Sequence, residues 1–311
     1  MDISIVIPNY NGENLLKENL PKVYKQVSNY KLGRVEIIVV DDGSKDGSLN
    51  FLDEFSKTHQ NVKFLVNKKN LGFAPTVNKG VQGATGEIII LLNTDVYPED
   101  DFLEPLLKHF TDEKVFAVGC LDRSIEDNGI VLRGRGLGKW KRGLLMHRRG
   151  EVDKTNTLWA SGGSSAFRKS IWDKLGGLNE LYAPFYWEDI DLSYRALKSD
   201  YKVLFEPKSV VVHEHEKGII KSKYSKFKIK TIAYRNQFIF VWENITGASF
   251  RITHIAWLPY HFSKALVDYD LAFYLGFFEA LILLPKIIKS SLSYKKLFVK
   301  KDEEVFKDYA E

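Results

Sequence analysis

Residues 36–44 read EIIVVDDGS, and residues 87–95 read EIIILLNTD. In each stretch a run of aliphatic residues, typical of a buried strand, ends directly at acidic or amide side chains. Similar runs at Ile3–Ile7 and Val62–Val66 are separated from these by stretches that favour helices. Strands that alternate with helices predict a parallel, doubly wound sheet, which binds its ligands at the carboxyl ends of the strands.

The remaining elements follow from the same periodicities. Helices are expected at Leu15–Gln26, Ser48–Lys57, Pro75–Gly83, Ser170–Leu175 and up to Ser199, and further strands at Leu158–Phe167, Val203–Phe205 and Val210–Val212. Between them, residues 124–154 are rich in glycine and basic residues. Long irregular segments in compact domains are usually functional, so we expect a flap on the acceptor side, with a plain solvated loop as the alternative.

Composition and termini limit the class of protein. With 311 residues, 44% of them apolar, the chain can bury a large core. Its single cysteine, Cys120, cannot form an intrachain disulfide. Asp2 stands where a secretory signal would carry positive charge, so we expect no export segment and a cytoplasmic catalytic part.

The chain changes character near residue 217, which predicts a catalytic domain over 1–216 and a helical region over 217–311. From Lys217 to Lys301 there are 15 Lys and Arg against four Asp and Glu. Aromatic, basic helices are expected at Ile229–Trp242, Trp257–Asp268 and Leu271–Ile288, and Glu279 and Pro285 interrupt the best candidate span. We expect these helices to lie on an anionic membrane surface, peripheral to the inner face of the cell membrane. Packing on the catalytic core is the alternative.

The first strand endings are candidates for nucleotide binding. Tyr10, which follows Pro8, can stack on a flat base. Asp41 and Asp42 can accept the imide proton of uracil or thymine, or ribose hydroxyls; the alternative is a turn with a helix cap.

The loop after the third strand is a second candidate for contact with a nucleotide. It contains Asn70 and Gly72, and its backbone amides can approach the nucleotide or its phosphates. The loop lacks the glycine pattern of a dinucleotide or P-loop fingerprint, which disfavours a dehydrogenase or a kinase.

Oxygen ligands follow the fourth strand. Asp95 is the stronger candidate for holding Mg²⁺ or Mn²⁺, and Asn93, two residues earlier, is the weaker one. Such an ion on a diphosphate needs only one or two protein ligands. A neutral imidazole at His213, at a later strand end, could complete the site. A structural histidine is the alternative.

Residues 188–191 read EDID and follow an aromatic cluster. Desolvation and mutual repulsion would raise the pKa of at least one of these carboxyls towards that of a useful base. Helix capping is the alternative role.

In the order of these motifs the chain resembles the family 2 inverting glycosyltransferases with the GT-A fold, particularly the rhamnosyl- and galactofuranosyl-transferase-like branch. The resemblance covers about residues 3–215 and extends through Arg235–Phe238. It implies a Rossmann-like, mostly parallel sheet flanked by helices, with a C-terminal helical appendage. The site residues that it implies are a nucleoside pocket of Pro8, Tyr10, Asp41 and Asp42, a metal site at Asn93–Asp95 with His213, Asp189 as the base, and Gly162 and Gly163 along the sugar site. Many members have Asp where this chain has Asn93, and the amide is expected to bind the metal more weakly at this position.

The predicted function is transfer of a sugar, with inversion, from a UDP- or dTDP-type donor to a hydroxyl of a glycan or polyprenyl-linked acceptor in cell-envelope polysaccharide synthesis. One alternative is a sugar-1-phosphate nucleotidyltransferase, which would require a glycine-rich, arginine-bearing loop at Asn9–Gly12. The other is a non-catalytic, membrane-docked binding module. Nucleic-acid binding is not expected, because the lysines lie among apolar helical stripes instead of a base-stacking platform.

Overall fold

The computed structural model describes residues 1–28, 30–126, 129–214 and 223–310. Its first part alternates strictly between strands and helices. The elements are β1 (Ile3–Asn9), α1 (Glu13–Ser28), β2 (Val35–Asp41), α2 (Ser48–Thr58), β3 (Val62–Val66), α3 (Phe73–Gln82) and β4 (Ile88–Leu92). Each lies within a few residues of its predicted bounds, because each carries its own hydrophobic period.

The middle of the chain contains more strands than helices. Its elements are β5 (Val96–Pro98), α4 (Leu103–Leu107), β6 (Val115–Glu126), β7 (Gly129–Arg133), β8 (Gly136–Lys141), β9 (Leu144–Arg149), β10 (Ser164–Arg168), α5 (Lys169–Leu175), α6 (Glu188–Lys198) and β11 (Lys202–His213). The C-terminal helices are α7 (Lys226–Asn244), α8 (Ala248–Val267), α9 (Leu271–Ile282), α10 (Leu284–Tyr294) and α11 (Asp302–Lys307).

One large sheet organises the molecule, in the order β3-β2-β1-β4-β10-β6-β11-β5, with β7 paired to β6. Strands β1 to β4 run parallel, and β10 is antiparallel to both of its neighbours. All five residues of β4 are buried, as expected of a parallel strand covered on both faces. Carboxyl ends of β1, β2 and β4 therefore meet at one edge.

Strand β11 contains an irregularity. It pairs in parallel with β6, but the register shifts between Glu206 and Val210, so residues 207–209 have no partners in β6. After the shift the two strands pair again, from Val210 opposite Leu121 to His213 opposite Ser124.

Side chains alternate between two cores, one on each face of the sheet. Ile5, Ile37 and Ile90 belong to the core covered by α1, α2 and α4. Val6 and Ile89 belong to the other core, which includes residues of α3, α5 and α6 and also Phe238, Phe240 and Ile287 from the C-terminal helices. The second core therefore continues across the predicted boundary at residue 216.

Several predicted elements differ from the structure. The described part of residues 124–154 is not an irregular loop: it forms the end of β6, then β7 and the β8–β9 hairpin, and its role as a flap stays a prediction. The predicted strand at Leu158–Phe167 begins only at Ser164, and the strands at Val203–Phe205 and Val210–Val212 are one strand. The helix expected at Leu271–Ile288 is divided between α9 and α10, with a break at Leu283.

In the described ranges, no single helix combines the length and apolar composition needed to cross a membrane. Only α9 together with the segment Leu284–Leu297 meets that criterion, and this pair is bent by 66°.

Candidate functional site

A cavity of about 400 Å³ lies at the carboxyl ends of β1, β2 and β4. Its wall brings together side chains from distant parts of the sequence. The predicted site residues on this wall are Pro8, Tyr10, Asp42, Asn70, Gly72, Asn93, Asp95, Gly162, Gly163, Asp189 and His213.

Asp41 is the predicted site residue that is not on the cavity wall. Its carboxylate is fully buried and accepts hydrogen bonds from the backbone N–H groups of Gly43 and Ser44 and from the side-chain amide of Asn9, at 3.1, 2.9 and 2.8 Å. These bonds fix the turn after β2, which is the alternative role, and contact of Asp41 with a nucleotide stays a prediction.

Asp42 is on the wall and holds the loop that follows β3. Its carboxylate accepts bonds from the Asn67 side chain and from the N–H groups of Leu71 and Gly72, at 2.9–3.0 Å. Gly72 has a φ of +95°, a left-handed conformation that favours glycine. Most of the acceptor capacity of Asp42 is thus used in fixing the loop, and its contact with a base stays a prediction.

Asp95 and His213 meet where β11 pairs with β5. The Asp95 Oδ2 lies 3.3 Å from the His213 Nε2. On the other side of the ring, the His213 Nδ1 is 2.8 Å from Asp122 Oδ2. Burial favours a neutral His213, but the hydrogen bonds and charges of Asp122 and Asp95 outweigh it and raise the pKa of His213 to about 9.

This pair fits a divalent cation. Two neighbouring ligands of an octahedral ion with bonds of about 2.1 Å are separated by about 3.0 Å, close to the observed 3.3 Å. With Nδ1 donating to Asp122, a cation that displaced the Nε2 proton would meet the Nε2 lone pair on the side of Asp95. Within the described ranges, no group of three or more His, Cys, Asp and Glu is arranged to hold a metal. A cation here would therefore take its other ligands from phosphate and water.

The acidic segment at the start of α6 follows an unusual backbone. Tyr186 and Trp187 both have positive φ, +73° and +78°, which is costly for aromatic residues. The amide of Asn236 on α7 donates to the carbonyls of Tyr182, Phe185 and Tyr186, at 2.9, 3.0 and 2.8 Å. These bonds hold the segment and so direct the next residues, Glu188 and Asp189, into the cavity wall.

The two carboxyls of this segment differ in their surroundings. Asp189 accepts hydrogen bonds from the N–H groups of Ile190 (2.8 Å) and Gly162 (3.3 Å). Burial raises the pKa of Asp189, and these two bonds oppose the rise by favouring the ionised form. Burial and the neighbouring Asp189 raise the pKa of Glu188 to about 8, and its Oε2 has no hydrogen-bond partner among the residues that the structure describes. The pKa of both buried carboxyls is therefore raised, as expected for a candidate general base.

Gly163 allows the β4 end to approach the segment before β10. A Cβ atom at this glycine would lie 2.5 Å from the side-chain amide nitrogen of Asn93, much closer than real contacts allow. The backbone N–H of Asn93 donates to the Gly163 carbonyl at 3.0 Å. The close approach brings Asn93 and the Gly162–Gly163 segment to the same wall.

The site also contains residues that the sequence patterns do not predict. Asp122 is one, because the segment after it has the pattern of a loop and its neighbour His213 is 91 residues away. Lys223 and Tyr224 also line the cavity, and the Lys223 ammonium lies 4.3 Å from the ring centroid of Tyr10. A signal was present for Asp122 in the apolar run that precedes it, but no local pattern distinguishes Lys223 from the other lysines around it.

Similarity to known proteins was found both in sequence and in structure. The model of the family Glycosyl transferase family 2 matches residues 4–176. The O-antigen chain rhamnosyltransferase RfbN of Salmonella typhimurium is 24% identical over 221 residues, which are 69% of this chain and 67% of that protein. The pre-mycofactocin glycosyltransferase of Mycobacterium tuberculosis is 27% identical over 221 residues, 69% of this chain and 43% of that protein. EpsH of Bacillus subtilis, named a putative glycosyltransferase, is 29% identical over 127 residues, 41% of this chain and 36% of its own. The chain thus spans from about a third to two thirds of the length of these relatives.

Solved structures resemble almost the whole chain. TarS of S. aureus, solved in complex with UDP-GlcNAc, has a TM-score of 0.60 at 15% identity and covers 98% of this chain and 83% of its own. The mannosyltransferase PcManGT of Pyrobaculum calidifontis, solved with GDP-Man and Mn²⁺, has a TM-score of 0.57 at 19% identity, covering 94% of this chain and 82% of its own. At such identities the likeness concerns the fold, and it confirms the predicted GT-A fold. Because the family model covers more than half of the chain, the protein belongs to glycosyl transferase family 2.

Proposed function

We propose that this protein is a metal-dependent, inverting glycosyltransferase that uses a UDP- or dTDP-type sugar donor. The observation that carries the proposal is the convergence of Asp42, Asp95, Asp189 and His213 on one cavity of about 400 Å³. That volume lies within the range typical of small-ligand sites.

The nucleoside would bind against Tyr10 and the loop with Asn70 and Gly72, all on the cavity wall. Lys223 lies over the Tyr10 ring and supplies a cation that can pair with a diphosphate. Related folds support a nucleotide sugar as the ligand, since TarS was solved with UDP-GlcNAc and PcManGT with GDP-Man and Mn²⁺.

Asp95 and His213 would hold Mg²⁺ or Mn²⁺, and Asn93 is the weaker third candidate. When bound, such an ion neutralises the charge that develops on the leaving diphosphate. Asp122 orients the His213 ring by accepting the proton of its Nδ1, so that Nε2 stays directed at Asp95.

Asp189 is the proposed general base. It would take the proton of the acceptor hydroxyl while that oxygen forms a bond to the anomeric carbon and the bond from this carbon to the diphosphate breaks. A single displacement needs a carboxylate on the attacking side, and the backbone hydrogen bonds from Ile190 and Gly162 favour the ionised form of Asp189.

The proposed acceptor is a glycan or polyprenyl-linked hydroxyl in cell-envelope polysaccharide synthesis. Support comes from the name of one relative, an O-antigen chain rhamnosyltransferase, which matches 69% of this chain.

Replacing Asp189 by Asn tests the proposal. We expect sugar transfer or donor hydrolysis to fall by about 10²–10⁴-fold, because the base is lost. Metal-dependent binding of UDP or dTDP, measured by calorimetry, should stay within about twofold of the wild type, since Asp189 does not contact the nucleotide in this proposal. The matched control is Asp173→Asn, an exposed carboxylate outside the cavity wall, which should leave turnover unchanged. Turnover that survives in Asp189→Asn would contradict the assignment.

A further inference from the structure

The outward face of α8 is apolar. Its exposed residues Ala248, Ile252, Ile255, Ala256, Pro259, Ser263, Leu266 and Val267 fall within roughly 120° of the helix circumference. Ile252, Ile255 and Leu266 keep 67, 67 and 69% of their surface exposed. The opposite side is the one that packs, through His254, Phe262 and Ala265. Helix α8 therefore packs against the core on one side and presents a second apolar stripe that no described element covers.

The next two helices repeat the pattern. In α9 the exposed residues Leu271, Leu275, Phe278 and Ile282 recur at intervals of three or four, and in α10 Ile288 and Leu292 do the same. At the turn between α8 and α9, Tyr269 is 90% exposed, beside the exposed Val267 and Leu271. Single exposed apolar residues are ordinary, but three consecutive helices with outward apolar stripes mark an interaction surface.

The charges around these stripes are basic. The three acids of this region are all in ion pairs: Asp268 with Lys264, Asp270 with Lys230, and Glu279 with Lys228, at 2.6, 2.8 and 3.0 Å. Lys286 and Lys289 on α10 form no ion pair within the described ranges, so a positive surplus remains beside the apolar residues. Two copies of such a surface repel each other, whereas an anionic surface attracts it.

Aromatic residues with polar tips flank the stripe of α8. Trp257 and Tyr260 lie on one side of it, and the Arg142 guanidinium lies 5.7 and 4.8 Å from their ring centroids. Arg142 also donates to the Tyr260 hydroxyl. Trp, Tyr and Arg at the border of an apolar stripe are typical of the boundary between acyl chains and headgroups.

We propose that the outward faces of α8, α9 and α10 form a docking surface for a bilayer that contains anionic lipids. The apolar stripes insert at the acyl boundary, and Lys286 and Lys289 bind lipid phosphates. This surface is separate from the cleft, so the proposal goes beyond the proposed function and stands or fails independently of it.

The test is sedimentation of the full chain with vesicles, without donor or metal. Phosphatidylcholine vesicles that contain phosphatidylglycerol should bind it, more weakly as salt rises, and pure phosphatidylcholine vesicles should bind it less. The triple variant Ile252→Ser, Ile255→Ser, Leu266→Ser should lower the partition coefficient more than about tenfold, because three apolar side chains lose their insertion. The matched control is Leu32→Ser, Ile130→Ser, Leu132→Ser, three exposed apolar residues outside α8–α10, which should leave binding unchanged.

A second measurement does not depend on how the triple variant folds. Brominated lipids should quench the fluorescence of the wild type, and Trp257→Phe should lose most of that quenching. Equal binding by the triple variant and its control, or no binding to the anionic vesicles, would overturn the proposal. So would a lipid-free dimer that the triple variant converts to a monomer, because the surface would then belong to a second copy of the chain.

Discussion

Glu188 and Asp189 are adjacent carboxyls whose burial raises the pKa of both, that of Glu188 to about 8. Asp189 receives two backbone hydrogen bonds, while the Oε2 of Glu188 receives none from the described residues. This difference can be measured without knowing the substrate, because a shifted pKa is also a contribution to stability.

We predict a pH-dependent gain in stability for Glu188→Gln. The pKa of Glu188 is about 8 in the folded protein against 4.5 for the free side chain, so only the unfolded chain ionises between these values. The wild type therefore loses stability as pH rises from 4.5 to 8, and the variant lacks this loss. The difference in free energy of unfolding should grow by up to roughly 5 kcal/mol over that window. Denaturant titrations at several pH values check this prediction, with the exposed Glu104→Gln as control. A difference in free energy of unfolding that does not change with pH would contradict the raised pKa of Glu188.

At the scale of single residues, position along the chain was enough to select residues that the structure places on the cavity wall, while their functions stay predictions. Asp95 and Asp189 follow directly from a strand end and a helix start. The apolar run before Asp122 marks it as a strand end, but its contact with His213 depends on the pairing of β6 with β11, which no local pattern predicts. Asp41 and Asp42 look alike in the sequence, and only the turn geometry distinguishes them.

Among the elements, α7 supports the site through one buried side chain. Asn236 is fully buried and donates to three carbonyls of the segment before Glu188. That segment includes the two aromatic residues with positive φ, a conformation that persists only where surrounding contacts impose it.

We predict that Asn236→Ala lowers both stability and turnover. Losing these bonds should cost roughly 2–4 kcal/mol in the free energy of unfolding. Because the 186–187 segment would relax, kcat should fall at least about tenfold with little change in nucleotide binding. Gln237→Ala is the matched control on the same helix, since Gln237 donates a single bond to the Leu145 carbonyl at 3.0 Å. Equal kcat values in the two variants would show that Asn236 is not a positioning residue.

Helices and strands whose own sequence has a clear hydrophobic periodicity were predicted, and those without such a periodicity were not. Strands β1 to β4 are nearly continuous apolar runs. The β8–β9 hairpin alternates glycine with basic and aromatic residues, and much of it is exposed, so its strand character comes from pairing. The break between α9 and α10 at Leu283 was hidden by a continuous hydrophobic pattern, although Pro285 suits the first turn of a new helix.

For the whole molecule, the C-terminal helices are part of the folded unit. The Lys198 ammonium on α6 and the Asp302 carboxylate on α11 form a fully buried ion pair at 2.8 Å. Asp302 also accepts a bond from the Tyr194 hydroxyl at 2.6 Å and from the N–H of Gly247 at 2.6 Å. The packing of side chains therefore continues across residue 216, and the division of the chain into two domains at that residue stays a prediction.

We predict that Asp302→Asn destabilises the entire chain in a single transition. The variant leaves the buried Lys198 charge uncompensated, which should cost roughly 3–5 kcal/mol. Asp200→Asn is the control, because Asp200 forms exposed pairs with Lys114 and Lys300, and its loss should cost under about 1 kcal/mol. Calorimetry should show one shifted transition; a catalytic domain that melts at an unchanged temperature would contradict the shared core.

The unpaired residues 207–209 of β11 have a consequence for how this enzyme could be altered. Side chains of a strand alternate between the two faces, so an odd number of extra residues reverses which ones point each way. Before the irregularity, Val203 faces the core shared with α7; beyond it, Val211 faces the opposite core, on the side of His213. Because Val210 would then follow Glu206 directly and still pair with Leu121, removing all three residues would leave the imidazole directed at Asp95 and every amino acid of the cleft in place.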